Sequence, residues 1–214
     1  MQGTTLFWDV DTQYDFMMPN GRLYVEGADR IIPVVSEIRA TALDHGCSIV
    51  ASMDWHNEAN PELSENPDFQ STFPPHCMAG TPGARRVGYL GSLPIHDVDL
   101  EPQNPDELAK RVRQDQFHIA IRKEALDVFS NPNTVGLLNA FRQPPKQIVV
   151  FGVALDFCVK AACEGLVRFP HWRLVLVRDA TKAVGAEEPV LSGLERLGVQ
   201  ITNFSQLRET IRCG

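Results

Sequence analysis

The sequence lacks the features of membrane-embedded, secreted and nucleic-acid-binding proteins. No run approaches the roughly 18 apolar residues that a membrane-spanning helix needs. The first residues show no basic region or cleavage signature of a secretory signal. Acidic residues exceed basic ones, with a net charge of −7, so the chain carries little of the positive charge that attracts nucleic acid. We therefore expect a cytoplasmic protein with no membrane partner and no nucleic-acid partner.

Cysteine is also scarce, and its positions show no framework spacing. The five cysteines are Cys47, Cys77, Cys158, Cys163 and Cys213. An odd, sparse count of this kind is typical of proteins in a reducing compartment. We therefore predict free thiols.

What the chain does contain is enough apolar sequence for a real core. Apolar residues make up 43% of the 214 residues, which suits an α/β protein of ordinary size. Strand-like and helix-like segments alternate, and no repeat, low-complexity tract or interdomain linker interrupts them. The sequence therefore predicts a single domain over residues 1–214, with three α-β-α layers around a mostly parallel central sheet of about six strands.

The predicted elements follow from apolar periodicity and turn residues. The predicted strands are Thr4–Asp11, Ser48–Met53, Phe117–Arg122, Gln147–Gly152, Arg173–Arg178 and Val199–Thr202. The predicted helices are Asp29–His45, Pro105–Arg113, Thr134–Phe141, Phe157–Arg168, Glu187–Leu197 and Ser205–Arg212. Residues 57–87 form a long loop rich in Pro, Asn and Glu, and such a loop in a compact domain is expected to be functional. Residues 88–116 are predicted to be variable, with one short helix and no strand.

Three residues with catalytic chemistry follow predicted strands. Asp11 ends the first strand, Lys123 follows the third, and Cys158 lies in the turn between the fourth strand and its helix. The carboxyl ends of parallel strands converge on one crevice, so we expect the three side chains to meet. A helix N-terminus favours a thiolate, Asp11 could accept the thiol proton, and Lys123 could supply positive charge, as nucleophilic catalysis requires. Taken singly, they could instead be a turn cap, a solvated lysine and an inert buried thiol.

A second group of polar side chains could hold a metal ion. Asp54 and His56 lie two apart after the second strand, so they face the same side of an extended segment. His76 can return to them across the long loop, and three N/O ligands with open positions are typical of a catalytic metal site. Such ligands suit zinc, iron or manganese, with Glu62 or Glu65 as a further ligand. The alternative is an Asp–His hydrogen-bond pair and an unrelated loop histidine.

These residues lie in segments that resemble the nicotinamidase branch of the isochorismatase-like cysteine hydrolases. The segments are Asp11-Thr-Gln-Tyr-Asp-Phe16, Asp54-Trp-His56, Phe73-Pro-Pro-His-Cys-Met-Ala-Gly-Thr-Pro-Gly83, Lys123 and Gly152-Val-Ala-Leu-Asp-Phe-Cys158. They occur in the family's order and span most of the chain. The resemblance implies the isochorismatase-like, Rossmann-type fold. It also implies a metal-assisted amidohydrolase that converts nicotinamide to nicotinate and ammonia through a thioester, in the salvage of pyridine nucleotides.

The resemblance also assigns roles to individual residues. It places the catalytic triad on Asp11, Lys123 and Cys158. It places the metal ligands on Asp54, His56 and His76. The implied oxyanion hole consists of the N–H groups of Ala154 and Cys158, with a cis peptide bond between Val153 and Ala154. The implied contacts to the substrate ring are Phe16 and Phe73.

The substrate and partners follow from the same resemblance. The implied ligands are a small amide, nicotinamide first, and one divalent metal ion, zinc first, with iron or manganese as alternatives. The chain could form a homo-oligomer. Lys123 is followed by Glu124–Pro132, which departs from the glycine-rich stretch of nicotinamidases in a segment that shapes the pocket. Two alternatives therefore stay open: a hydrolase of another small amide or ureido compound, and a non-catalytic metal- or ligand-binding protein.

Overall fold

Seven parallel strands form one sheet in the structure, a computed structural model that describes residues 5–141, 143–209 and 211. The strands are β1 (Thr5–Val10), β2 (Ser48–Asp54), β3 (Ile95–Val98), β4 (His118–Lys123), β5 (Gln147–Val153), β6 (Arg173–Lys182) and β7 (Gln200–Thr202). Their order across the sheet is β3-β4-β2-β1-β5-β6-β7. The predicted α/β fold with a parallel sheet is confirmed, with one strand more than expected.

Helices cover both faces of this sheet. They are α1 (Tyr14–Met17), α2 (Ile32–Asp44), α3 (Pro105–Val112), α4 (Thr134–Asn139), α5 (Lys160–Leu166), α6 (Glu187–Arg196) and α7 (Phe204–Arg208). Leu6 and Trp8 of β1 pack with α3 to α6, whereas Phe7 between them packs with α1, α2 and α7. Successive side chains of a strand point to opposite faces, so a strand covered on both faces is apolar almost throughout. No helix in the described part of the chain has the length and apolarity needed to cross a membrane.

The edge strand β3 is absent from the prediction, which places no strand in residues 88–116. Its sequence, Ile95-His-Asp-Val98, has only two apolar residues, and Ile95 is 37% exposed. An edge strand has a single neighbour and faces solvent over much of its surface, so it need not carry a continuous apolar run. β3 pairs with β4 along its whole length. The prediction that residues 88–116 hold no strand is therefore wrong, whereas the short helix predicted there is present as α3.

Two further differences concern the end of β6 and the short helix α1. β6 continues to Lys182 instead of ending at Arg178, because beyond an irregularity in the ladder its last residues pair with Gly152 and Val153 of β5. The short helix α1 lies between the first predicted strand and the first predicted helix, where no element was predicted. Both differences involve polar or short segments that give no periodic signal.

The prediction of free thiols is wrong for Cys47. Cys47 is disulfide-bonded, whereas Cys77, Cys158 and Cys163 are free and buried. Sequence spacing could not reveal this, since a disulfide depends on the distance between two cysteines in space. Cys213 lies outside the described residues, as do Thr4 and Arg212, the end residues of two predicted elements.

A buried ion cluster ties the end of the long loop to the sheet. Asp9 of β1 accepts hydrogen bonds from Arg39 Nε at 2.7 Å and from Thr12 Oγ1 at 2.8 Å. It also pairs with Arg86, and Arg39 donates to the carbonyl oxygen of Val87 at 2.5 Å. Burial alone would raise the pKa of Asp9, but the two guanidinium groups hold it well below its usual value. One carboxylate therefore joins β1, α2 and the loop.

Asp9→Asn is expected to lower the free energy of unfolding by about 3–5 kcal/mol, because it leaves two buried guanidinium groups without a counter-charge. Equilibrium urea unfolding measures this, with the exposed Asp44→Asn as a control that should stay within about 0.5 kcal/mol of wild type. The pKa of Asp9 is lower in the folded state than in the unfolded state. Its contribution to stability is therefore present above the unfolded value, roughly 3.9, and is lost as the pH falls toward the folded value. Wild-type stability of Asp9→Asn at neutral pH would contradict this account.

Candidate active site

The order of the sheet brings four polar residues into a row at its carboxyl edge. β4, β2, β1 and β5 are neighbours. Lys123 ends β4, Asp54 ends β2, and Asp11 directly follows β1. Cys158 lies five residues after the end of β5, and all four residues are buried. The side chains that the sequence predicted to meet do lie together.

Lys123 is the centre of this row. Its Nζ lies 2.9 Å from Asp11 Oδ2 and 3.5 Å from Cys158 Sγ, and it donates a hydrogen bond to Asp54 Oδ1. Burial would lower the pKa of Lys123, but the adjacent Asp11 and Asp54 carboxylates raise it well above its usual value. Lys123 is therefore an ammonium ion held between two carboxylates and a thiol.

The two carboxylates beside Lys123 differ in their affinity for a proton. Burial raises the pKa of Asp11; Lys123 opposes this rise, and the neighbouring Asp54 adds to it. Burial also acts on Asp54, but Lys123 and the His56 and His76 rings outweigh it and hold the Asp54 pKa well below its usual value. Asp11 accepts a hydrogen bond from Ser52 Oγ at 2.6 Å. Asp54 is therefore ionised, and Asp11 is the carboxylate of the pair that accepts a proton more readily.

Cys158 lies in a π-helical turn, Leu155–Val159, directly before α5. Burial raises the pKa of this thiol well above its usual value, and the negative charges of Asp11 and Asp54 add to the effect despite Lys123. Burial and the two carboxylates therefore oppose the thiolate that the sequence analysis expected a helix N-terminus to favour, and α5 itself begins only at Lys160. Carboxylate oxygens of Asp11 and Asp54 lie within 4.8 Å of the sulfur, so a proton acceptor is close to it.

The backbone before Cys158 has the conformation predicted for it. The peptide bond between Val153 and Ala154 is cis. The carbonyl oxygen of Ala154 accepts hydrogen bonds from the N–H groups of Phe157 and Val159, each at 3.1 Å. The turn that carries Cys158 is thus built on Ala154, which lines the same cavity as the thiol.

Asp54, His56 and His76 form a second cluster beside the thiol. One carboxylate oxygen of Asp54 lies 3.5 Å from His56 Nε2 and 3.4 Å from His76 Nε2, and all three residues are buried. The three ligand atoms lie within 4.8 Å of one another. The Asp–His separations exceed the roughly 2.7–3.2 Å of ordinary hydrogen bonds, so a simple hydrogen-bond pair does not account for the cluster.

The hydrogen bonds around these histidines fit a bound metal ion. His76 Nδ1 lies 2.8 Å from the carbonyl oxygen of Pro74, and donation to that oxygen leaves the lone pair of Nε2 facing Asp54. Among the described residues neither ring nitrogen of His56 has a hydrogen-bond partner, although the residue is fully buried. A buried imidazole without partners is costly, and a metal ion would satisfy one of its nitrogens. The donor set therefore suits zinc, iron or manganese.

Two residues that the sequence analysis did not assign a role hold these ligands in place. The side chain of Gln13 accepts from the N–H of Asp54 and donates to its carbonyl oxygen, each at 2.8 Å. The Asp15 carboxylate accepts from the N–H of Cys77, next to His76, at 2.8 Å. A Cβ atom at Gly83 would lie 2.1 Å from that carboxylate. Gln13 and Asp15 both lie in the first of the segments that resemble nicotinamidases, so only the resemblance could have pointed to them.

Arg122 supports the segment Asp54–His56, which carries two of the candidate metal ligands. Its guanidinium group lies 4.2 Å from the ring centroid of Trp55, the residue between Asp54 and His56. The same group pairs with Asp97 of β3 at 2.5 Å and with Asp99. Cation–π contacts of this kind stabilise by roughly 0.5–2 kcal/mol. The unpredicted edge strand therefore contributes to the position of the metal-ligand segment.

The two loop glutamates considered as a further ligand have different surroundings. Glu65 is exposed. Glu62 is half-buried and accepts a hydrogen bond from the N–H of Leu126 at 3.2 Å. Burial raises the pKa of Glu62, and the negative charge of Asp54 raises it further. Neither belongs to the three-residue cluster, and Glu62 lies in the electrostatic field of Asp54.

A cavity of about 230 Å³ opens above both clusters. Its lining includes Asp54, His76, Ala154 and Cys158, which carry or adjoin the two clusters and are called its floor below. Its apolar walls include Phe16, Leu23, Phe73, Leu126 and Phe157. The volume lies below the roughly 300–1,000 Å³ of sites for drug-sized ligands, so the cavity suits a small molecule with an apolar body.

The aromatic walls are in contact with the candidate metal-ligand cluster. The ring centroid of Phe16 lies 5.3 Å from that of His76, and Phe73 lies 5.8 Å from Phe157 in an edge-on arrangement. Phe157 was not singled out from the sequence, where it reads as the start of a helix. Leu126 belongs to the segment that departs from nicotinamidases, and its place in the wall agrees with the expectation that this segment shapes the pocket.

Comparison with known proteins relates the chain to one family. The Isochorismatase domain model matches residues 6–203. The nicotinamidase/pyrazinamidase of Mycobacterium tuberculosis is 32% identical over 184 residues, which are 85% of this chain and 88% of that protein. The pyrazinamidase of Pyrococcus horikoshii, solved in complex with zinc, has a TM-score of 0.71 and 27% identity, and the match covers 94% of this chain and 99% of that one.

A third similarity concerns the fold alone. PnC1 from L. infantum, solved in complex with nicotinate, has a TM-score of 0.72 at 23% identity, over 95% of this chain and 94% of that one. The fold, the family model and the relatives agree with one another. The chain belongs to the isochorismatase domain family.

Proposed function

We propose that this protein is a metal-dependent nicotinamidase that hydrolyses nicotinamide to nicotinate and ammonia. The observation that carries the proposal is that Cys158, which lies beside Lys123 and Asp11, lines one small cavity together with Asp54 and His76 of the candidate metal-ligand cluster. An amide and a ring nitrogen on one small flat molecule match these two clusters. The relatives named nicotinamidase and pyrazinamidase support the same substrate class.

In the proposed reaction Cys158 is the nucleophile. Its Sγ attacks the carboxamide carbon while its proton passes to Asp11, whose raised pKa suits it to hold that proton. The Lys123 ammonium, 3.5 Å from the sulfur, stabilises the thiolate as it forms. This route needs no thiolate in the resting protein, in agreement with the raised pKa of the buried thiol.

The backbone turn around Cys158 supplies the oxyanion hole of the proposal. The N–H groups of Ala154 and Cys158 stabilise the negative oxygen of the tetrahedral intermediate, and one such donor is typically worth roughly 3 kcal/mol. Asp11 returns its proton to the leaving nitrogen, and ammonia departs from the thioester. Asp11 then takes one proton from water, whose oxygen attacks the thioester carbon. The carbon–sulfur bond breaks, Asp11 returns its proton to the sulfur to restore the Cys158 thiol, and the acid leaves as nicotinate after losing the second proton of the water to solvent.

Asp54, His56 and His76 would hold the metal ion, zinc first or alternatively iron or manganese. When bound, the ion supplies an electrophile for the lone pair of the ring nitrogen. Phe16 and Phe73 provide apolar surfaces for the ring. Of the two loop glutamates, Glu62 is the better candidate for a further ligand because its carboxylate lies in the field of Asp54.

The metal site is tested by binding. His76→Ala is expected to weaken zinc binding by more than about tenfold, since loss of even a supporting residue costs about 10–100-fold. Glu62→Gln should weaken it as well, and Glu65→Gln, at an exposed position of the same loop, is the matched control. Metal analysis after dialysis and competition with a chelator measure the affinities. A wild-type protein that binds no zinc, iron or manganese after reconstitution would contradict the proposal.

The substrate is tested with three amides of the same shape. Ammonia release at equal concentrations is expected from nicotinamide and pyrazinamide, whereas benzamide, which lacks the ring nitrogen, should react at least about tenfold more slowly because it leaves the metal-ligand cluster unused. Equal rates for nicotinamide and benzamide would contradict the role of the cluster in holding the ring. No turnover of any of the three by metal-loaded protein would favour another small amide or ureido compound.

A further inference from the structure

The mouth of the active-site cavity carries two large apolar side chains that face solvent. Phe69 is 58% exposed and Val184 is 65% exposed, yet both line the cavity that contains Cys158. Exposed apolar surface at a cavity rim is typical of a surface that a ligand covers. Nicotinamide would be held mainly by the floor and the inner walls, so it leaves this rim without an explained role.

The structure fixes Phe69 in its exposed position. Its φ angle is 55°, in the left-handed region that aromatic residues seldom occupy. The Asp68 carboxylate accepts hydrogen bonds from the N–H groups of Gln70, Ser71 and Thr72 at 2.8–2.9 Å. The N–H of Phe69 donates to the carbonyl oxygen of Thr72 at 3.0 Å. The loop therefore presents the ring of Phe69 at the mouth of the cavity.

Val184 is held in a comparable way by a different carboxylate. Asp156, two residues before Cys158, accepts hydrogen bonds from the N–H groups of Val184 at 3.0 Å and Gly185 at 2.7 Å. The segment after β6 is thereby joined to the turn of the nucleophile. Both sides of the rim are therefore built by specific hydrogen bonds, and the rim exists before any substrate binds.

The orientation of nicotinamide relative to this rim follows from the proposed function, on which this inference rests. The ring nitrogen and the carboxamide of nicotinamide occupy ring positions 1 and 3. If both engage the floor, at the Asp54/His76 cluster and at Cys158, the ring atom that faces away from both is carbon 5. Carbon 5 therefore points out of the cavity, toward Phe69 and Val184.

We propose that Phe69 and Val184 form a subsite for an apolar substituent on carbon 5 of the pyridine ring. The protein would then accept 5-alkyl nicotinamides as well as nicotinamide. Each methylene group that leaves water strengthens binding by up to about fourfold, so a short alkyl chain that covers the rim gains affinity. A substituent on carbon 6, next to the ring nitrogen, would instead point at the metal-ligand cluster and bind poorly.

The test compares the selectivity for two substrates. Selectivity is the specificity constant, kcat/KM, with 5-propylnicotinamide as substrate divided by the same constant with nicotinamide. Phe69→Ala is expected to lower this ratio at least about fivefold, and Val184→Ala to lower it by a smaller factor. Val135→Ala is the matched control, since Val135 is 45% exposed on α4 and does not line the cavity; its ratio should equal that of wild type.

The position of the substituent gives a second comparison on the wild-type protein. Wild type should process 6-propylnicotinamide at least about tenfold more slowly than the 5-propyl isomer, because the 6-propyl chain would meet the metal-ligand cluster. An unchanged selectivity ratio in both rim variants, or preference for the 6-propyl isomer, would overturn the proposal.

A binding measurement separates failure of the subsite from failure of the proposed reaction. Two zinc-loaded proteins, the single variant Cys158→Ala and the double variant Cys158→Ala with Phe69→Ala, are titrated with 5-propylnicotinamide by calorimetry. Affinity should fall at least about fivefold in the double variant. If wild type does not hydrolyse nicotinamide, the proposed function is wrong, and the fall in affinity still decides for or against the subsite. Equal affinities would overturn the subsite even where nicotinamide is hydrolysed.

Discussion

The buried ammonium of Lys123 is the interaction on which the active site depends. Taking an ammonium ion out of water costs several kcal/mol, and only close partners of opposite charge recover that cost. Asp11 at 2.9 Å and Asp54 provide those charges, and the Cys158 sulfur completes the surroundings at 3.5 Å. These partners lie at or after the ends of three other strands of the sheet, β2, β1 and β5. The order of the parallel sheet is therefore what allows this cation to be buried, and the cation in turn holds the strand ends together.

One positive charge shared by two carboxylates gives them different chemical properties. Asp54 also contacts His56 and His76, so its negative charge is stabilised from two sides and its pKa is lowered. Asp11 has Lys123 and Ser52 but also faces the charge of Asp54, and burial leaves its pKa raised. When the surroundings give two neighbouring titratable groups different pKa values, the two groups commonly take different roles in acid–base catalysis. In the proposed function, Asp54 holds the metal ion and Asp11 transfers the proton.

The sequence predicted the strand ends better than it predicted what surrounds them. Apolar runs located six of the seven strands, and residues following those runs included Asp11, Asp54 and Lys123, because buried parallel strands are apolar throughout. β3 was missed, since an exposed edge strand carries no such run. Phe157 was missed because its contact with Phe73 depends on how the long loop of residues 57–87 folds back. The raised pKa of the Cys158 thiol could not be read from the sequence, since the helix position is visible there but the depth of burial is not.

The proposed covalent route through Cys158 is tested most directly by trapping the thioester. Zinc-loaded protein is mixed with nicotinamide and quenched in acid during turnover, and intact mass and peptide mapping follow, with Cys158→Ala as the control. We expect a nicotinoyl group on Cys158 in the wild type, none in the variant, and ammonia release by the variant at less than about one-hundredth of the wild-type rate. Turnover by Cys158→Ala within about tenfold of wild type, with no adduct on the wild-type protein, would contradict the account.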